Sequence, residues 1–405
     1  MSSILTNNSA MVALQTMKSI NAGMSKTQSE ISTGKSVASA KDSAAIWSIS
    51  KVMEADVKGF KGISESLSLG SSTIAVARQA SETVTDLLTQ MKGKIVAAQA
   101  QNVDRGKLQT DVTALKSQIE SVVSSAQFNG LNLVNGSETS ISILSSLDRG
   151  SGTVVASSIS VDAKNLSTGG YTANDVFSAT TGGTISGAGD TFVVSLDSGG
   201  GSDDITIANG ANAWAAGDTI TMRLGDKQAS YTVKSSDITS GNNSVPDLIA
   251  AGMKNAIDSL AIDGLTVDYD SANPGQLTFT NDGTKDLAVS GQYKNANSGG
   301  LGALASINVS TASGAQQALG AIETLLGTAI DASANFGSAE TRIDTQREFV
   351  GKLTDALKSG IGTLVDADME ETSARLQALQ VQQQLSTQAL SIANQQPQNL
   401  LSLFR

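Results

Sequence analysis

Two clusters of carboxylates are the side chains in this sequence that could do chemistry. The stretch DSGGGSDD, residues 197–204, places aspartates around glycines, but it lacks the ligand spacing of an EF-hand calcium loop. Asp268 and Asp270 are two residues apart and would face the same side of a strand, where paired carboxylates can catalyse proton transfer. No other chemical group in the pattern supports either cluster, so both are predicted to be solvated turns.

The composition excludes most other kinds of active site. The chain contains no histidine and no cysteine, which rules out thiol nucleophiles, histidine-based triads and nearly every zinc or copper site. It also lacks the glycine-rich nucleotide-binding motifs. A net charge of −11 argues against a nucleic-acid binder, which must neutralise phosphates. We therefore expect no enzyme activity, no cofactor, no metal and no nucleic-acid partner.

Neither a membrane anchor nor a cleaved leader is expected. No apolar run reaches the ~18 residues that a membrane-spanning helix needs. The N-terminal stretch MSSILTNNSAMVALQ lacks the basic start, the continuous apolar segment and the cleavage site of a signal peptide.

The elements that carry these residues divide sharply by composition. Residues 151–310 hold 22 of the 39 glycines, all four tyrosines and none of the glutamates. Glutamate favours helices, whereas glycine and aspartate favour turns. The composition therefore predicts helical flanks around an acidic, turn-rich middle region.

Apolar residues in both flanks recur with alternating spacings of four and three, the period of helices that pack along one another. Asn102 and Asp104 interrupt this pattern, and Asp104 is a candidate helix cap. Three seamed helices predict an antiparallel bundle built from segments far apart in sequence. The seam positions are Ile63, Leu67, Gly70, Ile74, Ala77, Ser81, Val84, Leu88, Met91, Ile95 and Ala98; Leu108, Val112, Leu115, Ile119, Val122 and Ala126; and Ala318, Ile322, Leu325, Ala329, Ala332, Phe336, Ala339, Ile343, Gln346, Val350, Leu353 and Leu357.

The middle region predicts an antiparallel β-rich domain. Short alternating segments rich in threonine, valine and isoleucine lie between turn residues. One helix is expected from Pro246 to Leu260, and an earlier hairpin is expected to join LNLV, at 131–134, to SISIL, at 140–144, through Asn135–Gly136. The predicted strands are TVVASSISV, TFVVSL, DITIA, DTITMRL, ASYTVK, LTVDY, QLTFT and DLAVS.

The two ends of the chain carry apolar stripes that polar residues interrupt. Such helices are too weakly apolar to be stable as a pair in water, so we expect them to be disordered in the monomer and ordered when many copies pack together. Pro397 is expected to kink or end the last helix near Gln395. The candidate self-assembly residues are Ile4, Met11, Leu14, Ile31, Val381, Leu385, Ile392, Leu400, Leu401, Leu403 and Phe404.

Several terminal motifs resemble those of bacterial flagellins. Ser32-Thr33-Gly34 is followed by SAKDSAA at 39–45, QFNGLNLV spans 127–134, and ANQQPQNLLSLFR closes the chain at 393–405. The resemblance covers residues 1–145 and 315–405, whereas 151–310 matches no pattern of the family.

The resemblance implies an α+β multidomain fold in nested layers, in which both chain ends form a long antiparallel helical bundle. The terminal helices, 1–40 with 366–405, form the inner core of a filament. The long-helix bundle, 41–150 with 311–365, carries a small β-hairpin, and 151–310 is an inserted, variable β-rich outer domain.

The resemblance also implies a function, a set of partners and a location. The chain is expected to polymerise with copies of itself into the extracellular flagellar filament for swimming. Export is expected through a flagellar type III channel, with an export chaperone, a cap complex and hook-junction proteins as partners.

Two alternatives stay open from the sequence. A hook-associated junction protein shares the terminal helices of flagellins. A secreted adhesin on the same frame would use Trp214 and the four tyrosines to stack against sugars.

Overall fold

The computed structural model describes residues 7–148, 155–239 and 244–403, and for residues 396–403 it describes the backbone alone. The chain forms two compact units. The terminal unit comprises Met1–Glu65, Ser146–Ser157 and Gln346–Arg405, and the central unit comprises Ser66–Ser145 and Ser158–Thr345. The α+β class is confirmed, with helices at both ends of the chain and strands in the middle.

In the described residues, helices form both flanks of the chain. The middle region holds one helix of 14 residues and one of 5 residues. The predicted helix from Pro246 is confirmed, with the proline in its first turn. The helices are α1 (Asn8–Thr33), α2 (Ala44–Ala97), α3 (Arg105–Ser125), α4 (Ser235–Thr239), α5 (Val245–Asp258), α6 (Ala312–Val365) and α7 (Met369–Leu403), with a 3₁₀-helix at Gly302–Ala305.

The strands lie between α3 and α6, and all eight predicted segments contain one. Two further strands, β3 and β4, were not predicted because they are short. The strands are β1 (Ser140–Asp148), β2 (Val155–Asp162), β3 (Phe177–Thr180), β4 (Thr184–Ile185), β5 (Thr191–Leu196), β6 (Gly201–Ile207), β7 (Thr219–Leu224), β8 (Lys227–Thr232), β9 (Leu265–Tyr269), β10 (Gln276–Asn281) and β11 (Leu287–Lys294).

The predicted seams are confirmed as the buried sides of the long helices. Every seam position from Ile63 to Ala98 is buried, as is every one from Ala318 to Ile343. On α3 the buried side turns slightly, so that Val123 is buried while Val122 is half-buried. These apolar stripes face a neighbouring helix because burial of a large apolar side chain stabilises the fold by ~1.5–3 kcal/mol.

Polar contacts in the central unit show that its long helices run antiparallel. Arg78 lies near the N-terminal end of the α2 segment in this unit, and Glu340 lies near the C-terminal end of the α6 segment. The Arg78 guanidinium and the Glu340 carboxylate form an ion pair at 2.7 Å. The Gln99 amide, just after α2, donates to the carbonyl oxygen of Ala315 at the start of α6, over 3.1 Å. The predicted break before α3 is also confirmed, because the Asp104 side chain accepts a hydrogen bond from the Lys107 backbone N–H at 3.1 Å and caps α3.

In the terminal unit, two short connectors pair side by side. Connector A, residues 34–43, joins α1 to α2, and connector B, residues 366–368, joins α6 to α7. The backbone N–H of Ser36 donates to the Val365 carbonyl at 2.8 Å, and that of Ala367 donates to the Gly34 carbonyl at 3.0 Å. The two connectors therefore form a small antiparallel bridge.

Connector A also contains part of the SAKDSAA motif, which folds into a turn. The Asp42 carboxylate accepts hydrogen bonds from the backbone N–H groups of Ala38 and Ser39 and from the Ser39 hydroxyl. The Ser39 N–H and hydroxyl favour the ionised form and so lower the pKa of Asp42 below its usual value. The turn delivers the chain to the start of α2.

The middle of the chain folds into two antiparallel sheets. One has the strand order β3-β6-β10-β9 and the other the order β4-β5-β11-β7-β8. Alternate residues of β7 and β10 are buried, as the predicted period of two requires. Phe177 and Phe192, one from each sheet, meet edge to face with ring centres 4.8 Å apart, and α5 contributes to the same core.

The hairpin predicted between LNLV and SISIL is wrong, because β1 pairs with β2. Residues 131–134 form no strand, since the Asn132 side chain accepts hydrogen bonds from the backbone N–H groups of Val134 and Asn135. A side chain that takes these donors competes with a strand ladder. The Leu133 carbonyl instead accepts from the Lys164 N–H at 2.9 Å, after β2 has ended.

The segments that enter and leave the inserted sheets lie side by side. The N–H groups of Gly299, Gly300 and Leu301 donate to the carbonyl oxygens of Gly169, Asn165 and Ser167. Leu166 and Leu301 are fully buried there. Two non-strand segments, hydrogen-bonded to each other, thus join the inserted sheets to the rest of the central unit.

Helix α6 also holds the five-stranded sheet directly. The Gln317 amide donates to the Ile185 carbonyl of β4 at 2.8 Å. One carboxylate, that of Glu323, pairs with Lys92 of α2 and with Arg223 of β7. These contacts join the sheet to two helices of the same unit.

Every tyrosine of the chain donates its hydroxyl to an aspartate, and this pattern holds the inserted region together. The pairs are Tyr171 with Asp190, Tyr231 with Asp237, Tyr269 with Asp247 and Tyr293 with Asp218. Burial raises the pKa of Tyr231 to about 12, with the Asp237 hydrogen bond adding to it. The hydrogen bond to Asp247 raises the pKa of Tyr269 to about 12, with burial adding to it.

Candidate self-assembly surface

The terminal helices begin and end with local signals that the sequence carries. The Asn7 side-chain oxygen accepts a hydrogen bond from the Ala10 backbone N–H at 3.0 Å and so caps α1. At the other end, Gly34 has a φ of 68°, a left-handed conformation that glycine adopts without strain, and its N–H donates to the Glu30 carbonyl. The Ser32-Thr33-Gly34 motif is thus the end of α1.

Helices α1 and α7 pair antiparallel, although they stand at opposite ends of the chain. The Asn7 amide donates to the Ala393 carbonyl, and the Gln383 amide donates to the Asn21 side-chain oxygen, each over 2.8 Å. Gly23 lies beside Leu379. Partners therefore move back along α7 as the chain advances along α1.

Small and polar residues form the buried side of this pair. Described residues of α1 and α7 that are buried are Thr27, Thr372, Ser386 and Ala393. These side chains allow the helices to approach closely, but they remove little apolar surface from water. Little of the pair's stability can then come from its own interior, because the hydrophobic contribution scales with the apolar area buried.

Large apolar side chains of the pair instead point to water. Apart from Met369 at the start of α7, which is 43% exposed, their exposed fractions run from 45% at Leu14 to 65% at Ile392. Val12, at 64%, was not predicted, because it lies off the sequence stripe. An exposed apolar surface of this kind is typical of a face that packs against another molecule. The exposed residues are Met11, Val12, Leu14, Val381, Leu385 and Ile392, which we call the assembly face.

Five of the sequence-predicted assembly residues are therefore on the assembly face, and the others are not placed there. Ile31 is half-buried. Leu400, Leu401 and Leu403 lie in α7, but their side chains are outside the description, and Ile4 and Phe404 lie outside the described residues. The expected helix end near Gln395 is wrong, because α7 continues through Pro397 to Leu403.

Part of the assembly face forms a shallow groove between the two helices. Its volume is about 640 Å³, and it is lined by Asn8, Ser9, Val12, Ala13, Ala389, Ile392 and Ala393. None of the described residues that line it is charged. The groove therefore fits an apolar side chain better than a polar ligand.

Charge is sparse along both terminal helices. Between Arg375 and Arg405 the sequence contains no charged residue. The ion pairs present, Lys26 with Glu30 at 3.9 Å and Arg375 with Glu371 at 2.6 Å, lie on the surface, where such pairs contribute little. Ion pairs therefore contribute little to the stability of the α1–α7 pair, and few charges are present to make copies of the chain repel each other.

Other exposed apolar residues lie just off the predicted seams of the long helices. Phe349 is one residue before the buried Val350, and Leu69, Val96 and Ile330 are likewise one residue from a seam position. In the sequence, these exposed positions could have been recognised as large apolar residues next to a seam position. They are individual exposed apolar positions on the long helices α2 and α6.

The prediction that both acidic clusters are solvated turns is wrong in part, because Asp203 lies in β6 and Asp268 lies in β9. Asp203 is buried and accepts hydrogen bonds from the Thr180 hydroxyl and from the N–H groups of Thr181 and Gly182. Asp270 accepts from the Ala272 N–H and the Asn273 amide. Among the described residues no group of three or more acidic side chains is arranged to hold a metal ion. In the same residues no helix is both long and apolar enough to span a membrane.

Two family models match the ends of the chain. The model of the bacterial flagellin N-terminal helical region matches residues 4–139, and that of the C-terminal helical region matches residues 319–404. Together they cover the helices that build the assembly face and most of the long-helix seams.

Relatives match over the whole chain. Flagellin A of Rhizobium meliloti strain 1021 is 36% identical over 438 residues, with all of both chains covered. Among solved structures, FliC from Burkholderia pseudomallei covers 67% of this chain with a TM-score of 0.33 at 16% identity. The flagellar junction protein FlgL from Legionella pneumophila covers 78% with a TM-score of 0.36 at 13% identity.

Proposed function

The chain belongs to the bacterial flagellin family, is a self-assembling structural subunit of the flagellar filament used for swimming, and, we propose, polymerises through the assembly face on α1 and α7. The full-length match to a flagellin favours this function over that of a junction protein. The observation that carries the proposal is the inverted pattern of the helix pair. Small residues are buried inside it, and large apolar residues are exposed outside it.

Burial of this face between copies would favour polymerisation. Burial of each large apolar side chain contributes ~1.5–3 kcal/mol as an upper estimate. The same contacts recur at every subunit of a helical polymer, so the gain is repeated along the lattice. The gain must offset the entropy lost when each subunit is fixed in place.

The three-part domain arrangement expected from the sequence fits this role. Residues 1–40 with 366–405 would form the filament core, 41–150 with 311–365 the surrounding helical layer, and 151–310 the outer domain. The assembly face lies wholly in the first of these parts. Catalysis has no place in this scheme, and Asp203 and Asp270, two of the carboxylates that could have supported it, accept hydrogen bonds from backbone N–H groups.

The assembly face also suggests why partners are needed before polymerisation. A charge-poor apolar surface associates non-specifically unless it is covered. An export chaperone on α7 would cover the assembly face before secretion. A cap complex would guide the subunit at the growing tip, and hook-junction proteins would offer a similar face to the first subunits at the base. The extracellular filament follows from the family, whereas the secretion route and these partners are part of the proposal.

The test compares substitutions of two exposed residues of α7, one on the assembly face and one outside it. Leu385→Ser removes an exposed apolar side chain from α7, and Gln388→Ser, one turn away, removes a polar one. Leu385→Ser should raise the critical concentration for filament growth by about tenfold, since ~1.4 kcal/mol of lost contact corresponds to a factor of ten. Gln388→Ser should leave it nearly unchanged, and monomer melting should stay the same in both variants.

Two outcomes would contradict the proposal. One is a critical concentration that does not differ between the two variants. The other is a lower monomer melting temperature for Leu385→Ser without any effect on assembly, which would show that Leu385 packs within its own chain.

A further inference from the structure

Methionines are distributed unevenly between the two units. Of the nine in the chain, Met11, Met17 and Met24 lie on α1, and three in the central unit are fully buried, at 0% exposure. Met11 is 63% exposed, the largest fraction of any methionine that the structure describes, and Met369 follows at 43%. The fully buried ones are Met91, Met222 and Met253.

Met11 is also the methionine that lies on the assembly face. Its neighbours along α1, Val12 and Leu14, are exposed apolar residues, and Val12 lines the groove with Ile392 of α7. Met17 and Met24 are half-buried. The chain has no cysteine, so methionine thioethers are the only sulfur groups that an oxidant can reach.

We propose that Met11 is a site of reversible oxidation to methionine sulfoxide in the unassembled protein, and that this modification blocks polymerisation. The inference rests on the proposed function of the assembly face. Oxidants of the peroxide class are the co-reactant. Susceptibility of a thioether follows its exposure, which separates Met11 from the buried methionines of the same chain.

The chemistry needs no catalytic group from the protein. A sulfur lone pair of Met11 attacks one oxygen of the peroxide, the O–O bond breaks, and the second oxygen leaves as water after proton transfer. Sulfur is oxidised by two electrons and the peroxide is reduced by two. The product is a polar S=O group in place of a flexible apolar thioether.

The physical effect of the oxygen depends on assembly. On the monomer, water solvates the sulfoxide, so folding is unaffected. In a polymer, the same oxygen would be buried against apolar side chains without a hydrogen-bond donor, which is unfavourable. Oxidation therefore acts on the contact between copies rather than on the fold, and a methionine sulfoxide reductase acting on free subunits would reverse it.

The experiment treats monomeric full-length protein with hydrogen peroxide and follows each methionine by peptide mass. Met11 should gain one oxygen well before Met91, and oxidation of preformed filaments should be slower at Met11. The critical concentration of the oxidised monomer should rise about tenfold, which corresponds to ~1.4 kcal/mol. Reduction by methionine sulfoxide reductase should restore assembly.

Matched variants show which sulfur is responsible. Met11→Leu keeps an apolar side chain without sulfur, so the critical concentration of this variant should be the same before and after peroxide. Met11→Gln, a polar replacement of similar length, should assemble poorly without any oxidant. Met369→Leu should remain as sensitive to peroxide as the wild-type protein.

The results separate this inference from the proposed function. If Met11→Leu loses assembly after peroxide as fully as the wild type, or if Met11 oxidises no faster than Met91, the modification site is wrong. If Leu385→Ser impairs assembly while Met11→Gln does not, the inference fails and the assembly face stands. If neither impairs assembly, the proposed function itself fails.

Discussion

Gly320 of α6 lies so close to β5 that a β-carbon on it would stand 2.8 Å from the Cγ2 atom of Val193. On the neighbouring strand β11, the Cβ of Ser290 would be 2.9 Å away. Real β-carbons do not approach other atoms this closely. The five-stranded sheet therefore packs on α6 at a distance that only glycine permits.

We expect Gly320→Ala to destabilise the central unit. The added methyl group forces the sheet away from α6, and overpacking of this kind costs ~1–3 kcal/mol. The control is Gly351→Ala on the same helix, where a β-carbon would meet no atom within 4 Å. There the higher helix propensity of alanine should stabilise the protein by ~0.8–1 kcal/mol. Thermal unfolding of both variants should show shifts of opposite sign, and shifts of the same sign would contradict the close packing.

Alkaline titration should find all four tyrosines protected. A tyrosine in an unfolded chain has a pKa of ~10, whereas the folded pKa of Tyr231 and of Tyr269 is about 12. Folding thus favours the protonated phenol. The resulting stabilisation is complete below pH ~10 and is lost as the pH rises through ~12.

Phenolate absorbance provides the measurement, with the same protein in denaturant as the reference. Native protein should show little ionisation near pH ~10, while the denatured chain should titrate there. Tyr269→Phe should remove one equivalent from the alkaline transition. Ionisation of any tyrosine near its ordinary pKa, while circular dichroism still reports native strands, would contradict the tyrosine–aspartate pairs.

Replacing residues 173–294 by a short glycine–serine linker should leave a folded, polymerising chain. The entering and leaving segments are hydrogen-bonded to each other up to Thr172 and Asn295, so a short linker can close the gap. A larger replacement, of 155–305, should lower the melting temperature, because it also removes the buried Leu166 and Leu301. Loss of one buried leucine side chain typically costs ~2–5 kcal/mol. Failure of the smaller replacement to assemble, with its helices intact, would show that the sheets make essential contacts between copies.

Deletion of residues 399–405 should affect polymerisation and spare the monomer. Four of these residues are large and apolar, and they follow the assembly face along the same end of the chain. Surface changes away from a core usually alter stability by less than about 0.5 kcal/mol. The paired measurement is monomer melting and critical concentration. A large drop in melting with an unchanged critical concentration would refute an intermolecular role.

The seams were predictable because they depend only on spacing. Burial from Ile63 to Ala98 follows directly from alternating steps of four and three residues, whatever the partner helix is. Spacing also placed Leu385 and Ile392 on one apolar stripe of α7, and both side chains are exposed. Periodicity also located the longer strands.

What could not be predicted depends on contacts between distant residues. The hairpin failed because the Asn132 side chain competes for backbone donors, and because Leu133 finds its partner at Lys164 instead. The assignment of Glu323 to both Lys92 and Arg223 needs three elements in place at once. Exposure of Val12 required knowledge of which side of α1 meets α7.

The paired connectors give the terminal helices a mechanical property. A filament that is rotated at its base transmits torque along its length. Each subunit then transmits part of that torque through its own chain. One connector alone could swivel about its single bonds, with Gly34 as a free pivot. Because the Ala367 N–H donates to the Gly34 carbonyl and the Ser36 N–H donates to the Val365 carbonyl, rotation about connector A alone would break these hydrogen bonds, so we expect the two connectors to move together.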